Sequence, residues 1–351
     1  MTEFLSEYGL FLAKSVTLLF VVLLIVAAIG SAAARQRRGG ESGRIEAHRL
    51  NEQVDEMRDA LRREVLDSKG LGRLRKSEEK ARKKAAKNAA KKKGDERRRR
   101  VWVLRFDGDI QASSVSALRQ EVTAILTLAE KGDEVVACVE SPGGMVHGYG
   151  LAASQLHRLR EHEGLSLTVA VDKVAASGGY LMACIGERII AAPFAILGSI
   201  GVVAQVPNVH RLLKRHDIDV EILTAGEYKR TLTVLGENTD KGRQKFVEEL
   251  EDVHAMFKEF VRENRPSLDV DRVATGEAWH GRRALDVGLV DELVTSDAYL
   301  TRACAEADVI EVRWVEHRSP VERLISQSTA RLAEACERVL LRWRDRSTWT
   351  G

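Results

Sequence analysis

Three stretches of this chain carry residue types that could perform acyl-transfer chemistry. The first is Val174-Ala-Ala-Ser-Gly-Gly-Tyr180. It follows the apolar run Leu165-Ser-Leu-Thr-Val-Ala-Val171, which has the composition of a buried strand, and precedes Leu181-Met-Ala-Cys-Ile185, the apolar face of a helix. Ser177 is therefore expected on a strand-to-helix turn, among small residues that let another backbone approach closely. Amides at the helix start would point toward charge developing beside its hydroxyl. An ordinary glycine-rich turn is the competing reading of this segment alone. The second stretch is Glu140-Ser-Pro-Gly-Gly144, where Pro142 fixes the chain while Gly143 and Gly144 can present amides outward. One amide from each turn would make a two-donor oxyanion hole.

A serine nucleophile also needs a base. His147, His157, His162, His210, His216, His254 and His280 follow no triad pattern, and Ser177 is not in a G-x-S-x-G elbow. A lysine can serve if burial lowers its pKa toward neutrality. The candidate is Lys229, in the third stretch, Thr224-Ala-Gly-Glu-Tyr-Lys229, after the strand-like Val220-Glu-Ile-Leu223. Against this stands the plain fact that most lysines are solvated surface residues.

The elements that must position these groups follow from periodicity. Val101-Trp-Val-Leu-Arg-Phe106 and Glu134-Val-Val-Ala-Cys-Val139 read as strands, as do 165–171 and Arg188-Ile-Ile-Ala-Ala192. Residues 113–130, capped by Ser113 or Ser114, and 149–160 read as helices between them. This βαβαβ alternation predicts an α/β layered domain with parallel strands and right-handed crossovers. Both glycine-rich turns fall at carboxyl ends of strands, where such sheets carry function. Residues 244–262 form a further helix with Phe246, Val247, Leu250, Val253, Phe257 and Val261 on one face, and 276–288 reads as structural packing.

Charge is distributed unevenly. Residues 35–100 carry 24 Lys/Arg against 12 Asp/Glu, whereas 101–351 carry 30 against 38. Ahead of the basic segment, residues 15–34 contain no charge, enough to span about 30 Å of hydrocarbon as a helix. Apolar Leu10-Phe-Leu-Ala13 extends the run behind one lysine, Lys14, and a retained anchor is favoured over a cleaved signal peptide, because the residues before Leu10 include Glu3 and Glu7 and no basic one, and the apolar run is long. Arg35, Arg37, Arg38 and Arg44 directly after it argue for a cytoplasmic carboxy-terminal part. An amphipathic helix is expected over about 44–67. The charge run after it lacks interleaved aromatics, which favours a solvated or headgroup-facing linker over a nucleic-acid interface. The four cysteines are widely spaced and suggest neither disulfide framework nor metal site. At the far end, Val321, Leu324, Ile325, Leu332, Cys336, Val339, Leu340 and Trp343 repeat at helical spacing. That tail helix could pack on the body, bind a partner protomer or lie on a membrane.

Ser141-Pro-Gly-Gly144, Ala175-Ala-Ser-Gly-Gly-Tyr180, Leu197-Gly-Ser-Ile-Gly-Val202 and Gly226-Glu-Tyr-Lys229, in this order, resemble the signal peptide peptidase A family of membrane-bound serine proteases. The resemblance covers about 101–295, and the Ser177–Ser199 and Ser177–Lys229 spacings fit the family pattern. It implies a ClpP/crotonase-like α/β fold with βαβ spiral units, and no cofactor or metal. It also implies Ser177 as nucleophile, Lys229 as general base, Ser199 as the residue orienting the amine, and the backbone N–H groups of Gly144 and Gly178 as oxyanion hole. The substrates implied are unfolded or membrane-released peptides, including signal-peptide remnants. In single-copy members Ser and Lys come from neighbouring protomers of a ring, so a homo-oligomer is expected, with the two residues far apart in one chain. The domains expected are an anchor over 1–34 (transmembrane about 10–34), a basic, largely helical linker over 35–100, a protease domain over 101–307 and an amphipathic helical tail over 308–351. The resemblance suggests a periplasmic catalytic part at the bacterial inner membrane, against the cytoplasmic side suggested by the arginines. A catalytically silent oligomeric scaffold and a crotonase-type acyl-CoA enzyme are the rival functions, and the Ser177, Ser199 and Lys229 set argues against both.

Overall fold

A computed structural model describes residues 43–67, 69–73, 76–77, 79–80, 83 and 98–316. The expected anchor over 10–34, most of the charge run and the tail after 316 lie outside them. No helix among the described residues is long and apolar enough to cross a membrane. Residues 45–314 form one compact unit; of the other, 1–44 with 315–351, only the strand ends at 43–44 and 315–316 are described.

The described chain begins with strand β1 (Gly43–Arg49) and helix α1 (Leu50–Val65). The helix expected from residue 44 thus starts later, because the preceding residues take the outer edge of a sheet instead. Asn51 anchors the first turn of α1: its amide donates to the carbonyls of Cys304 and Ala307, each at 2.9 Å, and accepts from the Val309 amide at 2.8 Å.

The body proper alternates strictly: β2 (Arg100–Asp107), α2 (Val115–Leu126), β3 (Glu134–Glu140), α3 (Val146–Arg160) and β4 (Ser166–Val171). After β4 the chain splits its work between two sheets. β5 (Val174–Ala176), the short helix α4 (Gly178–Ala183), β6 (Arg188–Ala191) and β7 (Ile196–Gly198) follow in turn. Beyond them come α5 (His210–Arg215), α6 (Asp240–Asn264), α7 (Val270–Val273) and β8 (Ala278–His280). The last elements are α8 (Gly281–Asp286), β9 (Glu292–Leu293), α9 (Ser296–Glu306) and β10 (Asp308–Glu316). The large sheet runs β1-β10-β2-β3-β4-β6-β9, with parallel pairing from β10 through β9. The small sheet runs β5-β7-β8, its first pair parallel and its second antiparallel. This is a mixed α/β fold.

The central strands are buried on both faces, which explains their continuous apolar runs. Trp102, Leu104 and Phe106 face the main core under α2, α3 and α4, while Val101 and Val103 meet Leu300 and Ala307 on the opposite side. Three further expectations need correction. Residues 308–316 are not part of a helical tail but strand β10, because the strand pairs in parallel with β2 and is buried on both faces, Val312 in the main core and Val309 in the one opposite. Residues 220–223 form no strand: they lie in an arm over 203–239 that finds no sheet edge, with Val203 85% and Leu223 91% exposed. At α2, neither Ser113 nor Ser114 caps with its hydroxyl; Asp109 accepts the Ser113 amide, and the Ser114 hydroxyl donates to the Asp107 carbonyl.

The carboxyl end of α6 is tied to the sheet by a bidentate ion pair. Arg265 donates to both carboxylate oxygens of Asp291, at 2.8 and 2.6 Å, and to the Gly288 carbonyl at 3.2 Å. Asp291 also accepts the Ile189 amide at 2.7 Å. Burial alone would raise the Asp291 carboxyl, but these donors outweigh it and hold its pKa below the ordinary value. Arg265→Ala is expected to cost about 2–3 kcal/mol in chemical denaturation, since it strands a partly buried carboxylate. Because the folded pKa is the lower one, the stabilisation is present above about pH 4 and lost as pH falls through the folded value. The stability gap between wild type and Asp291→Asn should therefore close in acid.

Candidate active site

Ser177 sits between β5 and α4 with φ 52° and ψ −118°, a conformation that L residues rarely adopt. Neighbouring chain enforces it. The Ser177 amide donates to the Gly198 carbonyl at 2.8 Å, and its carbonyl accepts from the Leu181 amide at 3.0 Å. Such strain at a partly exposed serine points to function rather than to packing.

The proline–glycine turn is stitched to the same place. The Ser141 amide donates to the Val174 carbonyl at 2.8 Å, and the Ala176 amide donates back to the Ser141 carbonyl at 3.0 Å. Gly143 adopts φ +91°, and a β-carbon added there would lie 2.7 Å from the Ser177 Cβ and 2.9 Å from the Gly178 nitrogen. Only glycine permits that approach. The Gly143 amide is consumed by Ser141 Oγ at 3.0 Å. No hydrogen bond among the described residues engages the amides of Gly144 or Gly178, and both residues line one cleft with Ser177.

Ser199 lines that cleft too. It follows β7 with φ 50°, its amide bonded to the Glu277 carbonyl at 2.7 Å. Ser177, Ser199, Gly144 and Gly178 are thus brought together in one chain. Lys229 is not among the residues lining the cleft. It is exposed on the arm, in a turn closed by its amide on the Gly226 carbonyl at 3.2 Å. That turn is held to the start of α6: Glu227 pairs with Lys241 at 2.6 Å, and the Tyr228 ring lies under Lys241 and Lys245.

The cleft has a volume of about 1080 Å³. Its walls are mostly apolar, with Val146, Leu181 and Val202 joined by Val247, Leu250, Met256, Phe257 and Phe260 from α6. The apolar stripe of α6, legible in the sequence, therefore lines a groove as well as packing the body. His254 lies in the same wall with Nε2 buried and unpartnered. Its place on the helix face could have been read from its spacing to Leu250 and Phe257; its isolation in an apolar wall could not.

Family models account for most of the chain: Peptidase family S49 N-terminal matches residues 3–156 and Peptidase family S49 matches residues 160–310. The chain belongs to peptidase family S49. It is 49% identical over 334 residues to a protein named "Probable protease SohB" in Haemophilus influenzae, covering 93% of this chain and 94% of that one. A protein of the same name in Buchnera aphidicola subsp. Acyrthosiphon pisum is 50% identical over 237 residues, 68% of this chain and 70% of its own. A third, from Buchnera aphidicola subsp. Schizaphis graminum, is 42% identical over 328 residues, 92% and 93% of the two chains. These relatives make the chain a SohB-like member of the signal peptide peptidase A group, and a peptidase.

The closeness of the two turns yields a direct expectation. Gly143→Ala places a methyl against Ser177 and a side chain at positive φ, so peptide hydrolysis should fall at least roughly 100-fold. Stability should fall too, by more than about 1 kcal/mol, because the added carbon also overlaps the Ala176 carbonyl oxygen and the Gly178 nitrogen. Hydrolysis rates and thermal melts on the same preparation test both parts.

Proposed function

We propose that this peptidase is a membrane-anchored serine endopeptidase with a Ser177/Lys229 dyad. The observation that carries the reading is a strained, accessible Ser177 beside two unengaged amides in a large apolar cleft. On this reading Lys229 comes from a neighbouring copy in a ring. In support, the cleft wall described for one chain contains no lysine, and the arm bearing Lys229 leaves Leu212, Ile222 and Leu223 uncovered. The two-sheet arrangement agrees with a ClpP/crotonase-like fold.

The chemistry then follows. Neutral Lys229 takes the Ser177 proton as the hydroxyl attacks a peptide carbonyl. The amides of Gly144 and Gly178 hold the oxyanion, and the lysine returns the proton to the leaving amine. Water, deprotonated by the same lysine, hydrolyses the acyl-enzyme. Ser199 orients the amine through a hydrogen bond. The apolar walls suit extended peptides with large aliphatic side chains, including remnants of signal peptides released from the membrane. The uncharged residues 15–34 would tether the enzyme to the bacterial plasma membrane as a single pass.

The test is hydrolysis of a Leu/Ala-rich fluorogenic peptide by the full-length chain in mild detergent. Ser177→Ala and Lys229→Ala should each lower kcat by roughly 10³-fold or more. Mixing the two inactive variants should restore activity, because some sites then pair an intact serine with an intact lysine. Activity retained in Lys229→Ala but lost in His254→Ala would replace the lysine with the unpartnered histidine of the cleft. An assembled wild type inert on every peptide would favour the scaffold.

A further inference from the structure

Beneath the cleft, two fully buried side chains make contacts that the peptidase reading leaves unused. Ser141 and Tyr149 are both 0% exposed. Their hydroxyls are hydrogen-bonded to each other, and the Tyr149 hydroxyl donates to the Asp109 carbonyl at 2.8 Å. The phenol has one proton, and it is committed to Asp109. The Ser141 hydroxyl must therefore donate to Tyr149 and accept from the Gly143 amide, which lies 3.0 Å away. The result is a relay with every proton assigned: Gly143 amide to Ser141, Ser141 to Tyr149, Tyr149 to Asp109.

The other end of the same tyrosine reaches the second turn. A β-carbon added to Gly178 would lie 2.7 Å from Tyr149 Cδ2 and 2.8 Å from its Cβ, so the Gly178 backbone rests directly on this side chain. The ring is braced by Phe106, edge to face at 6.3 Å. Gly179 is held equally close, since a β-carbon there would lie 2.5 Å from the Ser141 carbonyl oxygen. One buried side chain thus touches both halves of the oxyanion hole: its hydroxyl fixes the 141–144 turn and its ring supports Gly178.

We propose that Tyr149 and Ser141 are positioning residues for the oxyanion hole. They bind the Gly143 amide inward and set the Gly144 and Gly178 amides at the spacing a tetrahedral intermediate requires. The proposal rests on Ser177 being the nucleophile. It assigns the pair no contact with substrate, because both are buried. Donors fixed in advance stabilise a developing oxyanion far better than donors that must reorganise, and displacement of about 1 Å is enough to cost on the order of 100-fold.

The experiment compares full-length wild type with Tyr149→Phe, Ser141→Ala and the double variant. Three readouts are taken: kcat and KM on a fluorogenic peptide, inhibition by a peptide aldehyde, and inhibition by the matching peptide alcohol. The aldehyde forms a tetrahedral adduct with a nucleophilic serine and uses the oxyanion hole; the alcohol fills the cleft without doing so. Tyr149→Phe keeps the ring and removes only the hydroxyl. Its kcat should fall roughly 30- to 100-fold with KM within about twofold. Aldehyde affinity should fall by a similar factor while alcohol affinity holds. The double variant should be no worse than the more affected single one, because the two hydroxyls act as one relay.

Aldehyde and alcohol affinities falling together, or kcat unchanged in both single variants, would overturn the proposal. If Tyr149→Phe does not fold, Ser141→Ala, which loses a smaller group, decides the question by the same readouts. Ser177→Ala run alongside separates the underlying reading: aldehyde affinity that survives there removes the nucleophile, and this proposal with it.

Discussion

Ser141 and Ala175 form an isolated parallel bridge just beyond the end of β3, and the site depends on it. The bridge brings the proline–glycine turn and the serine turn within van der Waals distance, so close that Gly143 cannot carry a β-carbon. Its two hydrogen bonds would be marginal alone. They hold because β3 and β4 are paired over five residues in the buried sheet below, and β5 continues on β7 above. The serine turn is pinned from the other side by the Gly198 carbonyl, which also fixes where Ser199 begins. Three residues separated widely in sequence are therefore positioned by main-chain bonds, and side-chain chemistry is laid over that frame.

Much of this frame was legible because it is written in local pattern. The buried strands β2 to β4 are runs of Val, Ala and Leu bounded by polar residues, and the helices between them carry clear apolar faces. Ser177 could be placed on its turn because glycines and a following apolar helix are short-range signals. Its positive φ was not legible, since serine is not a residue that announces such a conformation. β10 was misread because nothing in Val309 to Trp314 says that a neighbouring strand waits 200 residues earlier in the chain. Long-range pairing of that kind is decided by what the sheet edge offers, not by propensity. The arm failed for the opposite reason: Val220 to Leu223 has strand composition but meets no edge.

Tyr149 shows a second limit of sequence reading. It lies in the first turn of α3, and its role as ring support and hydroxyl relay depends on Asp109 and Ser141, which lie on different loops. His254 is similar. Its helix face was predictable, but that face lines a groove as well as packing on the body, and only packing distinguishes the two. The apolar stripe of a helix tells what is removed from water, not whether protein or ligand removes it.

The exposure of Lys229 fits its proposed role better than burial within one chain would. A lysine amine in water has a pKa of about 10.4 and is a poor base near neutrality, because nearly every copy is protonated. Desolvation is the means by which proteins lower that value, and it costs free energy while the amine is charged. An isolated chain that buried the amine beside Ser177 would bear that cost permanently. An arm that presents the lysine to solvent does not, and gains a usable base only when another surface covers it. On the proposed reading, assembly and activation are then one event: the apolar residues of the arm supply the association energy, and the covering surface takes the amine out of water. A free chain in that scheme keeps a formed oxyanion hole and an idle nucleophile, so peptide hydrolysis is confined to the assembled enzyme.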